Sequence, residues 1–206
     1  TPSEDEILRG RGNQWIRIER YWEGEFPDVK ARFLPVFCQQ CGNAPCEPVC
    51  PVYASYHSTE ENINIQVYNR CVGTRYCGNN CPYRVRIFNY WAPRFDEPLE
   101  QQLNPDVTVR SPGVMEKCTF CVQRIRRSQL DAKVANRPMH DGELRSACAQ
   151  ACPSTAITFG NRNDPESAVN KVLKENESRS HRVLDELMDT RPNVIYLRPQ
   201  RVPDAL

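Results

Sequence analysis

The hydrophobic and polar positions of this chain predict short secondary-structure elements separated by long loops. Residues 63–67 read Ile-Asn-Ile-Gln-Val, and this alternation of apolar and polar side chains is typical of a half-buried strand. Residues 156–159 and 194–197 are short apolar runs that we interpret as two further strands. The pattern therefore favours small sheets over one large sheet.

Three segments predict helices. Residues 164–166 read Asp-Pro-Glu, a helix N-cap followed by a first-turn proline and acid, which predicts a helix through about Lys174. A second helix is expected over 181–188. A third is expected over 122–135, with three apolar side chains facing inward: Ile125, Leu130 and Val134.

Composition adds that the chain is polar and rich in loops. It has 206 residues, 17 prolines and a mean hydropathy of −0.66, and four of the prolines fall in residues 86–116, which we interpret as an insertion. No apolar run reaches the roughly 18 residues that a membrane-spanning helix needs. The net charge of +1 gives no argument for nucleic acid as a partner. Because the sequence opens at Thr1 without methionine, we expect a processed or partial chain.

The eleven cysteines are the main chemical signal. They fall in three groups, at residues 38–50, 71–81 and 118–152, mostly a few residues apart. An odd number of cysteines at such short spacing fits a disulfide framework poorly. It fits thiolates gathered around a metal ion or cluster, at these positions: Cys38, Cys41, Cys46, Cys50, Cys71, Cys77, Cys81, Cys118, Cys121, Cys148 and Cys152.

The three groups repeat one motif. Each ends in two cysteines separated by three residues and followed by proline, which is the end of the bacterial ferredoxin run. A small apolar residue also lies four positions after the last cysteine of each group: Ala54, Val85 and Ala156. The repetition predicts an α+β, loop-rich fold of duplicated ferredoxin-like iron–sulfur modules with C-terminal helices. We expect a multi-cluster domain over residues 1–160 and a helical or extended extension over 161–206.

Other readings of the cysteines remain open at this point. Cys118 and Cys121 with Cys148 and Cys152 could form a four-thiolate structural zinc site. Disulfides are a weaker alternative because the spacing repeats a cluster motif, and nothing points to a catalytic cysteine. No nucleophile elbow, phosphate loop or dinucleotide fingerprint occurs, so we expect no substrate-converting site.

One cysteine is missing from the second group. A regular group would place it at position 74, where the chain has threonine. A hydroxyl is a poor ligand for iron in a sulfide cluster, so we expect a [3Fe–4S] cluster with Thr74 at the vacant corner. The alternative is a four-iron cluster with an oxygen or water ligand. Nearby arginines would favour the reduced, more negative state: Arg75, Arg84 and Arg86.

Longer motifs resemble a known family. They are Leu34-Pro-Val-Phe-Cys38, Tyr68-Asn-Arg-Cys-Val-Gly-Thr-Arg-Tyr-Cys77, Asn80-Cys-Pro-Tyr-Arg-Val85 and Glu116-Lys-Cys-Thr-Phe-Cys121. These stretches are similar to the four-cluster iron–sulfur subunits of molybdopterin oxidoreductases and polysulfide reductases. Three further stretches resemble the iron–sulfur (B) subunit of alternative complex III: 9–18, 107–117 and 190–197.

The resemblance implies a cross-ligated arrangement of clusters. Two or three [4Fe–4S] clusters and one [3Fe–4S] cluster are expected. One [4Fe–4S] cluster would take Cys38, Cys41, Cys46 and Cys81, and the [3Fe–4S] cluster would take Cys50, Cys71 and Cys77. A further [4Fe–4S] cluster would take Cys118, Cys121 and Cys148 with a fourth ligand upstream. Another would take Cys152 with three ligands upstream.

The resemblance also implies partners and a location. Electrons would pass from a membrane-embedded quinol-oxidising subunit through the clusters toward cytochrome c-type subunits, in a respiratory or photosynthetic complex. A molybdopterin-enzyme-like domain would precede this one. The complex would lie at the cytoplasmic membrane, with this part on the periplasmic face. The alternative is the iron–sulfur subunit of a molybdopterin oxidoreductase of the polysulfide reductase type.

Overall fold

The computed structural model describes residues 4–9, 12–92 and 95–199. These residues divide into two compact units. The first comprises the chain up to Thr119 together with Asp189–Asn193, and the second comprises Phe120–Met188 with the residues from Val194 onward. A boundary after residue 160 stays a prediction.

The first unit is built from three antiparallel strand pairs and two short helices. Its elements, in chain order, are α1 (Glu4–Leu8), β1 (Arg17–Glu23), β2 (Lys30–Val36), β3 (Ser55–Ser58), β4 (Ile63–Gln66), α2 (Tyr76–Asn79), β5 (Ile87–Phe88) and β6 (Met115–Glu116). Strand β1 pairs with β2, β3 with β4 and β5 with β6. Short 3₁₀ turns occupy Tyr68–Arg70 and Leu99–Gln102. The cysteine loops connect these pairs.

Strand β4 forms at the predicted place but is buried on both faces. All four of its residues are buried, whereas the alternating pattern predicted one exposed face. The expectation of a half-buried strand was wrong because Asn64 and Gln66 bond to the buried guanidinium of Arg86, at 3.1 and 3.0 Å. A polar side chain is found inside a protein when it has such a partner.

The segment 86–116 begins and ends in one strand pair. Ile87 lies opposite Glu116 and Phe88 opposite Met115, so the two ends of the segment meet in β5 and β6. Between them, Asn89 donates its amide N–H to Val114 (2.8 Å) and accepts from Gly113 N–H (2.7 Å). The two ends of the segment are therefore adjacent in the structure.

The second unit contains four helices and one strand pair. Its elements are α3 (Val122–Val134), α4 (Ala147–Ala151), α5 (Ala168–Glu175), β7 (Ser180–His181), α6 (Asp185–Met188) and β8 (Tyr196–Leu197). A 3₁₀ turn covers Glu177–Arg179, and β7 pairs with β8. Helix α3 matches its predicted bounds to within a residue. Its inward residues are Ile125 and Ala132, whereas Leu130 and Val134 are exposed, so the predicted inward face was partly wrong.

Four other predictions in this unit were wrong in part or in full. Helix α5 begins at Ala168, because Asp164 closes a turn by accepting the amide N–H of Ser167 at its carbonyl (3.1 Å). Of the helix expected over 181–188, only α6 forms, since His181 pairs with Tyr196. Residues 156–159, all of which the structure describes, form no strand. The strand expected over 194–197 shortens to β8.

The fold class is the expected one. The chain is α+β and loop-rich, with small two-stranded sheets and helices concentrated toward the C-terminus, as in ferredoxin-like iron–sulfur domains. In the described part of the chain, no helix is both long and apolar enough to cross a bilayer.

Candidate metal centres

Four cysteines from two different groups line one cavity in the first unit. Three of them, Cys38, Cys41 and Cys46, come from the loop after β2, and the fourth, Cys81, follows α2. Cys38, Cys41 and Cys46 are buried and Cys81 is partly buried. The rest of the wall is largely apolar, from Ala44, Pro45, Pro82, Tyr83 and Val85, with Gln39, Asn64 and Arg86 as its polar members.

Burial and mutual repulsion make these thiols hard to ionise. Burial, reinforced by the neighbouring Cys38 and Cys46, raises the pKa of the Cys41 thiol to about 12. Burial also raises the pKa of the Cys46 thiol to about 11, against the opposing effect of Arg86. The same cause raises the pKa of Cys81. A site that gathers thiols in this way favours bound metal, because metal cations stabilise the deprotonated sulfur.

The thiols of this first set frame a cavity. Across the described ranges, no three His, Cys, Asp or Glu side chains meet closely enough to hold a single metal ion. A four-iron cluster needs thiolates spaced around it, because each sulfur binds a different iron, whereas a zinc ion holds four sulfurs at about 2.3 Å. Four thiols from two loops that line one largely apolar cavity are a donor set that fits a [4Fe–4S] group.

Among the described residues that line the cavity, Arg86 is the one with a charged side chain. It is 7% exposed, and its guanidinium donates to Ser55 Oγ (2.6 Å), Gln66 Oε1 (3.0 Å) and Asn64 Oδ1 (3.1 Å). Burial alone would lower its pKa, but the thiols of Cys46, Cys77 and Cys38 outweigh that effect and raise it. The arginine therefore lies close to thiols of the first set and to Cys77.

The second set consists of Cys50, Cys71 and Cys77. Cys50 Sγ accepts the amide N–H of Ala54 (3.1 Å), and Cys71 Sγ accepts that of Met115 at the start of β6 (3.3 Å). Cys77 is buried in the first turn of α2. Thr74 is exposed on the loop between Cys71 and α2.

A close backbone contact shapes the loop that carries Thr74. Gly73 has a φ of +71°, and a Cβ there would lie 2.2 Å from the carbonyl oxygen of Gly113. The next residue but one, Arg75, also has a positive φ, of 63°. The glycine thus brings the loop against the strand end that contacts Cys71.

The cysteines of the third group are divided between the two units. Cys118 belongs to the first, where its carbonyl accepts from Gln40 Nε2 and Lys117 Nζ, both at 3.0 Å. In the second unit, Cys121 Sγ accepts the amide N–H of Ala147 (3.2 Å) at the start of α4. Helix α4 carries Cys148, whose Sγ lies 3.2 Å from Ser146 Oγ. Cys121 is therefore next to the helix that holds Cys148.

The same turn follows the last cysteine of each group. The third residue after that cysteine has a positive φ in all three copies: 52° at Tyr53, 51° at Arg84 and 50° at Thr155. Its amide N–H donates to the cysteine carbonyl, at 3.4, 3.1 and 3.2 Å respectively. The repetition read from the sequence is thus a repetition of backbone conformation.

The residue four positions after each of these cysteines donates its backbone amide to the cysteine sulfur. These are the small apolar residues Ala54, Val85 and Ala156. Burial opposes ionisation of Cys50, but the amides of Ser55, Val52 and Ala54 lower the pKa of its thiol overall. In the third copy, the Ser154 hydroxyl and the Ala156 amide lower the pKa of Cys152. The turn stabilises a thiolate, which is the ligand form.

Sequence reasoning missed the polar residues beside the thiols. Ser55, Asn64 and Gln66 surround Arg86, Thr190 hydrogen-bonds to Cys41, and Lys117 is fully buried. The available signal was the alternation in β4, whose polar positions were assigned to solvent. An arginine placed among cysteines, five residues after Cys81, could have indicated that those polar side chains face inward.

The repeated thiolate turn and the four-thiol cavity define a ferredoxin-type iron–sulfur protein. Residues 29–94 match the family described as "4Fe-4S dicluster domain". The iron–sulfur cluster-binding subunit of menaquinone reductase from Nitratidesulfovibrio vulgaris is 39% identical over 200 residues, covering 95% of this chain and 77% of that protein. This chain therefore belongs to the family of iron–sulfur cluster-binding subunits that carry the 4Fe-4S dicluster domain.

Two further relatives show how widely the family is used. Iron–sulfur subunit 1 of an Hdr-like menaquinol oxidoreductase from Archaeoglobus fulgidus is 39% identical over 168 residues, covering 79% of this chain and 57% of that protein. The arsenate respiratory reductase iron–sulfur subunit ArrB from a Shewanella species is 30% identical over 222 residues, covering 94% and 87%. The relatives share the iron–sulfur subunit and differ in the enzyme that contains it.

Proposed function

We propose that this chain is an electron-transfer subunit that relays electrons through several iron–sulfur clusters in a quinol-oxidising membrane complex. The observation that carries this proposal is the cavity lined by Cys38, Cys41, Cys46 and Cys81. Sulfurs from two separate loops converge there, as the cross-ligation of ferredoxin modules requires. The chain would convert no substrate of its own.

The proposed ligand sets follow the sequence expectation. The four cavity cysteines would hold one [4Fe–4S] cluster. Cys50, Cys71 and Cys77 would hold a [3Fe–4S] cluster, with Thr74 at the vacant corner. Cys118, Cys121 and Cys148 would hold a [4Fe–4S] cluster with a fourth ligand from outside residues 1–206, and Cys152 would be one ligand of another.

When bound, the clusters supply one-electron redox chemistry, and this chain's own residues set the conditions for it. The apolar wall around the first set excludes water, which keeps the local dielectric low. The backbone amides of the three cysteine–proline turns stabilise negative charge on sulfur. Arg86 adds a positive charge beside thiols of two sets. The backbone amides and Arg86 favour the reduced state, which is more negative. The exclusion of water opposes it.

The complex that we favour is of the alternative complex III type. The motifs at 9–18, 107–117 and 190–197 support it, as do relatives named for menaquinone and menaquinol. Electrons would enter from a membrane-embedded quinol-oxidising subunit and leave toward cytochrome c-type subunits. The chain would be peripheral, on the periplasmic face, and follow a molybdopterin-enzyme-like domain.

A second candidate is the iron–sulfur subunit of a molybdopterin oxidoreductase. It is favoured by the resemblance to that wider family and by the relative named for arsenate respiratory reductase. The same relay of clusters would then serve a different catalytic partner. Purification of the native complex distinguishes the two: cytochrome subunits support the first candidate, and a molybdenum-containing catalytic subunit supports the second.

Metal analysis tests the cluster proposal itself. Protein purified without oxygen is expected to contain iron and acid-labile sulfide in equal amounts from four-iron clusters, with a small sulfide excess from the three-iron cluster. Electron paramagnetic resonance of the oxidised protein should show a three-iron signal. Folded protein that contains zinc and neither iron nor sulfide would overturn the proposal.

A further inference from the structure

Arg86 is a buried cation whose oxygen partners are all neutral. Its guanidinium donates to a hydroxyl and two amide oxygens, and it also hydrogen-bonds to the sulfur of Cys77. Bringing a guanidinium out of water is costly unless an anion compensates it. The groups near Arg86 that become anionic when they bind metal are cysteine sulfurs, and Arg86 lines the same cavity as Cys38 and Cys46.

These sulfurs belong to two different proposed clusters. Cys38 and Cys46 line the first cavity, whereas Cys77 belongs to the second set. Arg86 also lies close to the helix that carries Cys77, because a Cβ added at the neighbouring Gly78 would be 4.0 Å from Arg86 Cβ. One positive charge therefore lies within electrostatic reach of both ligand sets.

We propose that Arg86 is a shared counter-cation that raises the reduction potentials of both clusters, acting as a positioning residue. This inference rests on the proposed iron–sulfur function. A cluster becomes more negative when it accepts an electron, so a fixed positive charge nearby stabilises the reduced form of each. Because both clusters share the charge, its removal lowers both reduction potentials. The difference between the two potentials changes less than either potential does.

The surroundings of Arg86 hold the charge in place without neutralising it. Ser55 and Gln66 pair with each other at one end of the β3–β4 strand pair, and Asn64 lies two residues before Gln66. Asn64 also donates its amide nitrogen to Glu47 (2.6 Å), so a neutral amide links the guanidinium to that carboxylate. Hydrogen bonds to neutral groups fix the geometry and leave the full positive charge directed at the sulfurs.

The other two arginines of this region are placed differently. Arg75 is exposed, stacks 4.4 Å from the ring centroid of Phe88 and donates to the Tyr90 hydroxyl (3.1 Å). Arg84 is exposed as well. Water and salt screen exposed charges strongly, so these two contribute far less to the field at the clusters. Arg20 is a matched control, because it is an exposed arginine of β1 and lies outside the cysteine loops.

The experiment is a potentiometric titration of both clusters, followed by electron paramagnetic resonance, in the full chain. At a given applied potential, Arg86→Met should lower the ratio of reduced to oxidised form of each cluster by about tenfold. For a one-electron couple this corresponds to a reduction potential about 59 mV lower. Arg20→Met should leave both potentials unchanged. Arg86→Lys keeps the charge but loses the fork of donors, so both potentials should stay near the wild-type values.

A substitution at Gln66 provides an independent test that keeps the arginine. Gln66→Glu places a carboxylate next to the guanidinium and should lower both potentials as Arg86→Met does, even where Arg86→Met fails to assemble clusters. The proposal is overturned if either variant leaves both potentials unchanged or moves only one. It is also overturned if Arg86→Lys matches Arg86→Met, which would indicate a structural role. A wild-type protein without iron and sulfide instead refutes the proposed function.

Discussion

The hydroxyl of Tyr83 lies 2.6 Å from Thr190 Oγ1, although 107 residues separate the two in sequence. Both side chains are buried. Residues 189–193 belong to the first unit because of this bond and several backbone bonds, among them Gly42 N–H to the Arg191 carbonyl (2.9 Å) and Asn43 N–H to the Thr190 carbonyl (3.0 Å). A late segment of the chain thus covers the loop that carries Cys41.

The first prediction concerns this bond. Tyr83→Phe and Thr190→Val should each lower the free energy of unfolding by about 1–2 kcal/mol, because each leaves a buried polar group with one partner fewer. The double variant should cost less than the sum of the two, by about 1 kcal/mol, in urea denaturation. Strictly additive effects would show that the two hydroxyls do not interact.

The second prediction concerns Gly73. Gly73→Ala should destabilise the protein by about 2–4 kcal/mol and reduce its iron content, because the new Cβ would meet the Gly113 carbonyl as well as adopt a positive φ. Gly142→Ala is the matched control. Its φ is +86°, but a Cβ there meets nothing within 4 Å, so only the backbone strain of about 1 kcal/mol applies. Equal losses in thermal unfolding would contradict the role of the close contact.

The third prediction concerns Thr74, the exposed residue at the position of the missing cysteine. Thr74→Cys supplies a soft ligand, so the three-iron resonance of the oxidised protein should diminish and a four-iron signal should appear on reduction. Thr74→Ser keeps a hydroxyl and should retain the wild-type spectrum. An unchanged spectrum in Thr74→Cys would count against the assignment of Cys50, Cys71 and Cys77.

The fourth prediction concerns the pH dependence of the cluster-free protein. The folded pKa values of Cys41 and Cys46, about 12 and about 11, lie above the roughly 8.5 of an unfolded thiol. Between these pH values the folded state keeps protons that the unfolded state has lost. The contribution of these two thiols to stability is therefore fully present below this pH window and is lost as the pH rises through it. The free energy of unfolding should be lower at pH 10 than at pH 7, by roughly 2 kcal/mol for each thiol.

Cys41→Ser provides the control for this titration. The thiol of Cys50 acts in the opposite direction, since its pKa is lowered in the folded state, and its contribution is common to both proteins. The variant should therefore show a shallower decline of stability with pH than the wild type, in urea denaturation at matched pH values. Parallel declines would indicate that Cys41 does not titrate as described.

The sequence alone predicts the class of fold and the grouping of thiols, because both depend on local spacing. Cys50, Cys81 and Cys152 start the same turn, and a turn is specified by the residues within it. Helix α3 was also predictable, since thirteen residues with a helical pattern leave few alternatives. These features need no knowledge of distant contacts.

Features that depend on distant contacts were not predictable in this way. Asn64 and Gln66 have the spacing of an exposed face, and only the approach of Arg86 explains their burial. Asp164 has the local signal of a helix N-cap, yet the helix begins after Ser167. Ala168 at its first turn donates its amide to Asp141 (2.8 Å), a residue 27 positions away, and no local pattern shows this contact.

The turn after each cysteine–proline pair has a consequence for how such a protein can change over time. The group that contacts sulfur belongs to the main chain, at Ala54, Val85 and Ala156, so ordinary amino-acid replacement there leaves the contact in place. Proline is the exception, because it lacks the N–H. Side-chain replacements can therefore alter the redox behaviour of such a chain while the backbone contacts to sulfur stay in place.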